Sequence, residues 1–245
     1  MSMVLSSAGK ALLIAPIIAC MTVPVDAACP PEHGSAFAFV SSPRDLRRAD
    51  GQAVRLAGTA PGLAVPLQGL YRLIVLDPKA DRWGRIAGFV VPTEPPGAES
   101  INLAMVRQGL SPAFTSDLPP DCIAPFLMAE AEARVARRGI WSKPELLLAA
   151  TDLEGLKGRV GLFTIVHGRV TSVRQGQRRV FLNFGAFGSE RFSVIVAVSR
   201  LPAFAAAGLD LSALKGQEIE VRGILASGMA MELTTPAALV KLSRP

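Results

Sequence analysis

Asp81-Arg82-Trp83-Gly84-Arg85 gathers a carboxylate, two guanidiniums and an indole within five residues. A guanidinium presents its donors as a planar fork that matches phosphate oxygens in pairs and stays charged at neutral pH. Arginine recurs in two further groups. Arg134, Arg137 and Arg138, with Arg107 not far upstream, read either as a stripe for backbone phosphates or as a solvated helix end whose cations meet the C-terminal dipole. Arg174, Arg178 and Arg179 flank Gly176 and form a candidate anion contact at a hairpin tip. The two histidines, His33 and His167, have no Ser/Asp or Cys partner nearby in sequence, so each reads as hydrogen-bonded structure. With no CxxC or Cys/His cluster, a zinc site has no support.

The elements that position these residues begin with short strand patterns at Ala36–Val40, Ala53–Ala57, Leu70–Leu76 and Ile86–Val91, separated by turn signals at Asp50-Gly51 and Asp77-Pro78. Asp50 and Asp77 suit Asx-type hydrogen bonds within those turns. Helical spacing follows over Ser100–Gln108 and Cys122–Arg138. The second helix sets Ile123, Phe126, Leu127, Glu130, Ala131 and Arg134 on one face, and Gly139 is placed to stop it. Trp83 and Trp141 read most simply as core or motif anchors. Strands followed by helices, not alternating with them, imply a small α+β barrel with helices at its side. Residues 144–158 read as a linker with a short helix around Glu145–Ala150. Strand patterns then resume at Leu162–Val173, Val180–Phe184, Arg191–Val198, Glu218–Leu225, Met229–Leu233 and Leu239–Leu242, with a short helix over Leu201–Ala207. Glu218-Ile219-Glu220-Val221-Arg222 alternates as a half-buried strand does. The fold class is therefore mainly β with helices, built as two small barrels.

Taken together, Asp81–Arg85, Val106-Arg107-Gln108-Gly109-Leu110 and the Ala/Glu/Arg-rich helix ending in Gly139-Ile140-Trp141-Ser142 resemble the staphylococcal nuclease-like (thermonuclease) family. The resemblance implies an OB-fold barrel over 28–143. Leu182-Asn183-Phe184-Gly185 and Thr235-Pro236 resemble the C-terminal OB-like module of some exported members, here 159–245. The family cleaves phosphodiesters with a calcium ion held by Asp carboxylates, a Glu proposed as general base, and two phosphate-binding arginines. On that resemblance Arg85 matches the second arginine. Arg55, within Val54-Arg55-Leu56-Ala57-Gly58, matches the first. The alternative is two strand arginines paired with nearby carboxylates.

The acidic half of the family pattern is missing. Arg44 stands where a metal-binding Asp is expected, and Asp45 is one step off, which on a strand points to the other face. Gly62 stands where the general base belongs, and too little chain separates Pro61 from Asp81 for the family's first helix. A general base contributes about 10²–10⁴-fold and a metal several kcal/mol more, so losing both lowers the rate by about four orders of magnitude or more. Asp45, Asp50, Asp77 or Glu32 would have to rebuild a site from another direction. The expected cofactor set is thus empty, with calcium ligands not retained.

Bulk features bound the partner and the compartment. The net charge is +6, and because Lys10 and Asp26 cancel it is also +6 beyond residue 27, which favours anionic partners such as nucleic acid or another polyanion. Hydrophobic residues make up 50% and aromatics only 6%, so aliphatic side chains must fill the cores. Residues 1–27 read as an export signal, with Lys10 before an apolar run from Ala11 to Ala19 too short to span a bilayer. Val25-Asp26-Ala27 would release a chain starting at Ala28, giving a periplasmic or secreted protein without a transmembrane segment. Ile17-Ile18-Ala19-Cys20 instead resembles a lipobox that would anchor the chain through Cys20. After cleavage at Ala27, Cys29 and Cys122 are an even pair and read as a disulfide. Its long loop allows up to about 4–5 kcal/mol of stabilisation. Three functions follow: a binding module for an anionic partner with a degenerate site, a working secreted phosphodiesterase, or an envelope protein-interaction module.

Overall fold

The computed structural model describes residues 29, 35–41, 46–60, 67, 70–95, 97–186 and 190–242. The export signal and lipobox, Glu32, His33, Arg44, Asp45 and Gly62 lie outside them. Among the described residues no helix is long and apolar enough to cross a membrane.

Five strands form the first sheet: β1 (Ser35–Ser41), β2 (Leu46–Arg48), β3 (Ala53–Leu56), β4 (Leu70–Asp77) and β5 (Arg85–Pro92). They pair in the order β1-β2-β3-β5-β4 and close when β4 returns to β1. The Asp50-Gly51 signal is the hairpin between β2 and β3, although three-residue β2 itself was not legible in the sequence. β3 and β5 run parallel, with Arg55 opposite Ala87 and Ala53 opposite Arg85. Side chains alternate across a strand, so Arg55 and Arg85 share one face of this pair.

Two helices cover the barrel: α1 (Ile101–Arg107), capped by the Ser100 hydroxyl on the Leu103 amide, and α2 (Pro120–Val135). Asn102 of α1 is fully buried. Its Oδ1 accepts from the Val90 amide at 2.9 Å, while its Nδ2 donates to Ala57 O at 2.8 Å and Gly88 O at 3.0 Å. One amide thus ties α1 across the β3–β5 pair and satisfies backbone groups that would be costly to leave unpaired. On α2 the inward face is Cys122, Phe126, Ala129, Glu130 and Ala133, a rotation from the expected face, and Ala131 is exposed. Cys122 fixes that rotation through its disulfide to Cys29. Helix α2 also stops short of Gly139. That glycine serves a close approach instead: a Cβ on it would lie 2.2 Å from Gly109 O, and one on Gly109 would lie 2.2 Å from Arg138 O. The Ile140 amide donates to Gly109 O at 2.9 Å, so glycines of two distant motifs meet backbone to backbone.

Residues 144–158 are not a plain linker, and the expected helix around Glu145–Ala150 is a strand. β6 (Leu147–Ala149) pairs parallel with β7 (Phe163–Arg169), and α3 (Leu153–Lys157) follows, capped by Asp152. The apolar run gains more by pairing with a sheet edge than a short isolated helix could supply. The second sheet adds β8 (Ser172–Gln175), β9 (Arg179–Phe184), β10 (Phe192–Ala197), β11 (Glu218–Ala226), β12 (Ala230–Leu233) and β13 (Leu239–Lys241), with α4 (Leu201–Ala206) after β10. Its order is β6-β7-β11-β12-β10-β9-β8, with β13 on β11, and two pairs, β6 with β7 and β10 with β12, are parallel. Among the described residues, strand pairing does not close this sheet into a ring. The expected long strand Leu162–Val173 is instead bent: Val170 bonds with Gln217 and Gly216 next to β11, while the Thr171 amide turns to Asn183 on β9. One stretch of chain therefore serves both ends of the curled sheet.

The sheets meet through an apolar cluster that joins Ala133, Trp141 and Leu146 to Phe163 and Ile165. Beside it lies an ionic network. Arg222 is buried and reaches Glu130 and Glu220 at 2.9 Å each, and Arg134 reaches Glu130 at 2.7 Å and Glu220 at 3.0 Å. Strand β11 was expected to be half-buried, yet Glu220 and Arg222 are buried as well as Ile219 and Val221. Carboxylate and guanidinium partners on α2 make that burial tolerable. Arg134 is thus a structural residue and not part of a phosphate stripe. Arg107 likewise pairs with Glu99 and Glu132.

Candidate phosphate-binding cleft

The loop from Pro78 to Gly84 is organised by one side chain. Asp81 Oδ1 accepts from the amides of Trp83 at 2.9 Å and Arg85 at 3.0 Å, and its Oδ2 accepts from Arg85 Nε at 3.0 Å. Arg85 Nη2 also stands 2.9 Å from that oxygen. Burial opposes ionisation here, but the Arg85 amide, the Arg85 guanidinium and the Trp83 amide outweigh it and hold the Asp81 carboxyl below its ordinary range. The motif therefore builds its own turn and aims its own arginine. Asp77 Oδ1 accepts from the Lys79 amide at 2.8 Å and Asp50 Oδ1 from the Gln52 amide at 3.1 Å, the Asx bonds the turns were expected to contain.

Arg55 and Arg85 line one cleft of about 730 Å³, along with Lys79, Arg82, Asp77 and Asp117. Asp117 was not legible as a site residue. It reaches the cleft because Gly58 permits a tight crossing, where a Cβ would lie 2.4 Å from the Phe126 ring. The Phe114 amide then bonds Gly58 O at 2.9 Å and brings the following turn, Thr115–Asp117, against β3. Asp117 Oδ2 pairs with Arg55 Nη1, and Oδ1 accepts from the Gly58 amide at 2.9 Å. Burial raises the Asp117 carboxyl above its ordinary range despite the attraction of Arg55.

Trp83 does not pack in a core. It is 61% exposed, with the Arg82 and Arg85 guanidinium carbons 4.0 Å and 4.7 Å from its ring centroid. Trp141 does pack as an anchor, buried beneath Arg134. The cleft thus gathers three arginines, a lysine and three carboxylates, and exposed Trp83 lies against two of those arginines outside the lining.

Calcium requires several oxygen ligands, usually including more than one carboxylate. Asp81 and Asp117 are both committed to arginine and backbone donors. Among the described residues no group of three His, Cys, Asp or Glu side chains could hold a metal. Two of the three lining carboxylates are thus engaged by arginine, and Asp77 Oδ1 accepts from the Lys79 amide.

The second arginine group divides. Arg174 lines a separate cleft on the second sheet, while Arg178 and Arg179 do not. Cysteines 29 and 122 form the expected disulfide.

Residues 69–143 match the family described as "Staphylococcal nuclease homologue". The match contains Asp81, Arg85, Asp117 and both glycines of the backbone contact, and Arg55 precedes it. No curated protein matches the chain. A solved structure of OBody AM1L10 bound to hen egg-white lysozyme is similar, with 18% identity, 36% of this chain and 85% of that chain covered, and a TM-score of 0.26. The segment that builds β4, β5, α1 and α2 is the part of the chain that is similar to the staphylococcal nuclease homologues.

Proposed function

We propose that this chain is an exported nuclease homologue that binds nucleic acid, or another polyanion, through the cleft of Arg55 and Arg85 without cleaving it. The observation that carries this reading is the pairing of the two arginines on one face of the β3–β5 pair, beside carboxylates that are already spent. Two guanidinium forks and Lys79 attract phosphate, and exposed Trp83 offers a face on which a base can stack. Of the three carboxylates in the described lining, Asp81 and Asp117 are engaged by arginine, which disfavours their activating water. Arg44 and Gly62, at positions where the family resemblance expects acids, support the same reading. The disulfide favours an oxidising compartment, consistent with export. The second sheet, with its bent β7–β8 stretch and the parallel pairing of β10 with β12, supports an OB-like module after the nuclease-like one.

The test is incubation of the protein with single-stranded DNA and RNA, with calcium and with chelator, alongside a salt titration of binding followed by tryptophan fluorescence. Binding that falls steeply with salt, with intact substrate, is expected. Chelator-sensitive cleavage abolished in Arg85→Ala would overturn the reading in favour of a working phosphodiesterase.

A further inference from the structure

Helix α2 commits one face to the rest of the protein and leaves the opposite face bare. Cys122, Phe126, Ala129, Glu130 and Ala133 turn inward, toward the barrel core and the ionic network with β11. Ala124, Met128, Ala131 and Val135 follow one another at intervals of four, three and four residues, so they form one stripe on the far side. All four are exposed, Met128 at 65% and Val135 at 88%. A helix on the surface of a globular protein ordinarily turns charged or polar groups to solvent. Here the solvent side carries four apolar side chains in a line about 16 Å long.

The stripe is complementary to itself when a second copy is turned end for end. Setting Ala124 against Val135 of the second copy also sets Met128 against its Ala131, and a two-fold axis repeats both contacts. Each large side chain then meets a small one, the alternation that lets two helices interlock closely. The ends agree as well. The same register puts Asp121, in the first turn, at the level of Arg137 and Arg138 of the second copy. Among the described residues Asp121 and Arg137 form no ion pair, and Arg138 donates to a backbone oxygen, Arg107 O, at 3.1 Å. Opposite charges therefore approach at both ends, and the two helix dipoles run antiparallel. A parallel pairing would instead set Asp121 against Asp121 and Val135 against Val135.

We infer that the outward face of α2 is an interface between two copies of this chain, packed antiparallel about a two-fold axis centred between Met128 and Ala131. A uniformly acidic or basic partner would leave one charged end of the stripe opposed by its own sign. An anionic membrane surface would meet Asp121 with repulsion. A second copy matches both ends at once. One helix stripe of this length buries less than the roughly 1,200–2,000 Å² of a standard stable interface, which puts the dimer in the weak, concentration-dependent class. The interface shares no residue with the lining of the Arg55–Arg85 cleft, so each can fail alone.

The test is sedimentation equilibrium of the full chain across the micromolar range, where a monomer–dimer equilibrium is expected. Met128→Glu places two like charges at the centre by symmetry and should weaken association about a hundredfold or more. Asp121→Arg should weaken it about tenfold. Adding Arg137→Asp and Arg138→Asp to that variant should restore it, a recovery that a merely structural effect on α2 would not give. Lys215→Glu, an exposed position far along the chain from the stripe, should leave association unchanged. Thermal midpoints verify that each variant is folded. A chain that stays monomeric throughout, including one whose stripe binds phosphatidylglycerol vesicles instead, would overturn the proposal. So would a dimer indifferent to Met128→Glu or Asp121→Arg, or one that the swapped charges do not recover.

Discussion

Arg55 and Asp117 stand 62 residues apart in the chain and meet as an ion pair inside the first cleft. The carboxylate occupies one side of a guanidinium that would otherwise be turned to a ligand, so the protein carries an internal competitor for the anion it is proposed to bind. Replacing Asp117 with Asn keeps an acceptor for the Gly58 amide and removes the charge. Asp117→Asn should therefore raise affinity for single-stranded DNA about tenfold, or about 1.4 kcal/mol. Fluorescence anisotropy at fixed salt measures this, and an unchanged affinity would show that Arg55 does not contact the ligand.

The same residue gives a pH signature. Its folded carboxyl titrates above the ordinary value of 3.8 because of burial. The folded state therefore holds the proton more tightly than the unfolded state, and stability from this group is lost as pH rises from about that value through the raised one. Urea melts across this window should show the wild type losing stability relative to Asp117→Asn as pH rises. The anion affinity of the wild type should increase on acidification through the window, while that of the variant stays flat.

Glu220 behaves in the opposite sense. Burial opposes its charge, but hydrogen bonds and attraction from Arg134 and Arg222 outweigh that and lower its titration. Its contribution is present above the ordinary value of 4.5 and lost as pH falls through the lowered one. Glu220→Gln should flatten the acid limb of the stability profile. Glu130→Gln leaves buried Arg222 short of a partner and should cost about 3–5 kcal/mol by chemical denaturation. A joint replacement of Glu130 and Arg222 by Met should cost less than that single change, since it strands no charge between them.

Gly109 and Gly84 both have positive φ, 70° and 74°. A methyl group on Gly109 meets backbone at 2.2 Å, whereas one on Gly84 meets nothing within 4 Å. Gly84→Ala should thus cost only the left-handed backbone penalty, about 1–2 kcal/mol. Gly109→Ala should cost clearly more, because two backbones must separate. Thermal melts of the two variants compare them directly.

The Cys29–Cys122 bridge should contribute about 2–5 kcal/mol. A reducing agent should lower the wild-type thermal midpoint to that of the Cys29→Ser/Cys122→Ser double variant and leave the variant unmoved.

Much of this architecture is local enough to be read from the chain. Turn residues and period-two or period-four patterning depend on neighbours a few residues away. Accordingly β3, β4, β5, β9, β10, α1 and α4 fall within a residue or two of their expected bounds. The Asx roles of Asp50 and Asp77 are equally local. Trp83 does not fill a core, because the tight turn around Asp81 leaves it exposed with the Arg82 and Arg85 guanidiniums against its ring. Strand β6 was missed because three apolar residues show no period, and only the free edge of β7 makes them a strand.

The sequence by itself marked Arg55 and Arg85 as candidate cations and Cys29 with Cys122 as a candidate disulfide, and the turn that aims Arg85 rests on bonds within a few positions. Only the tertiary structure decided what neutralises those cations and what joins the sheets. Asp117 reaches Arg55 through the crossing at Gly58, and Glu130 reaches Arg222 from a helix 92 residues away. Coulombic and packing contacts act through space, and their partners are chosen by how the chain closes on itself rather than by spacing along it.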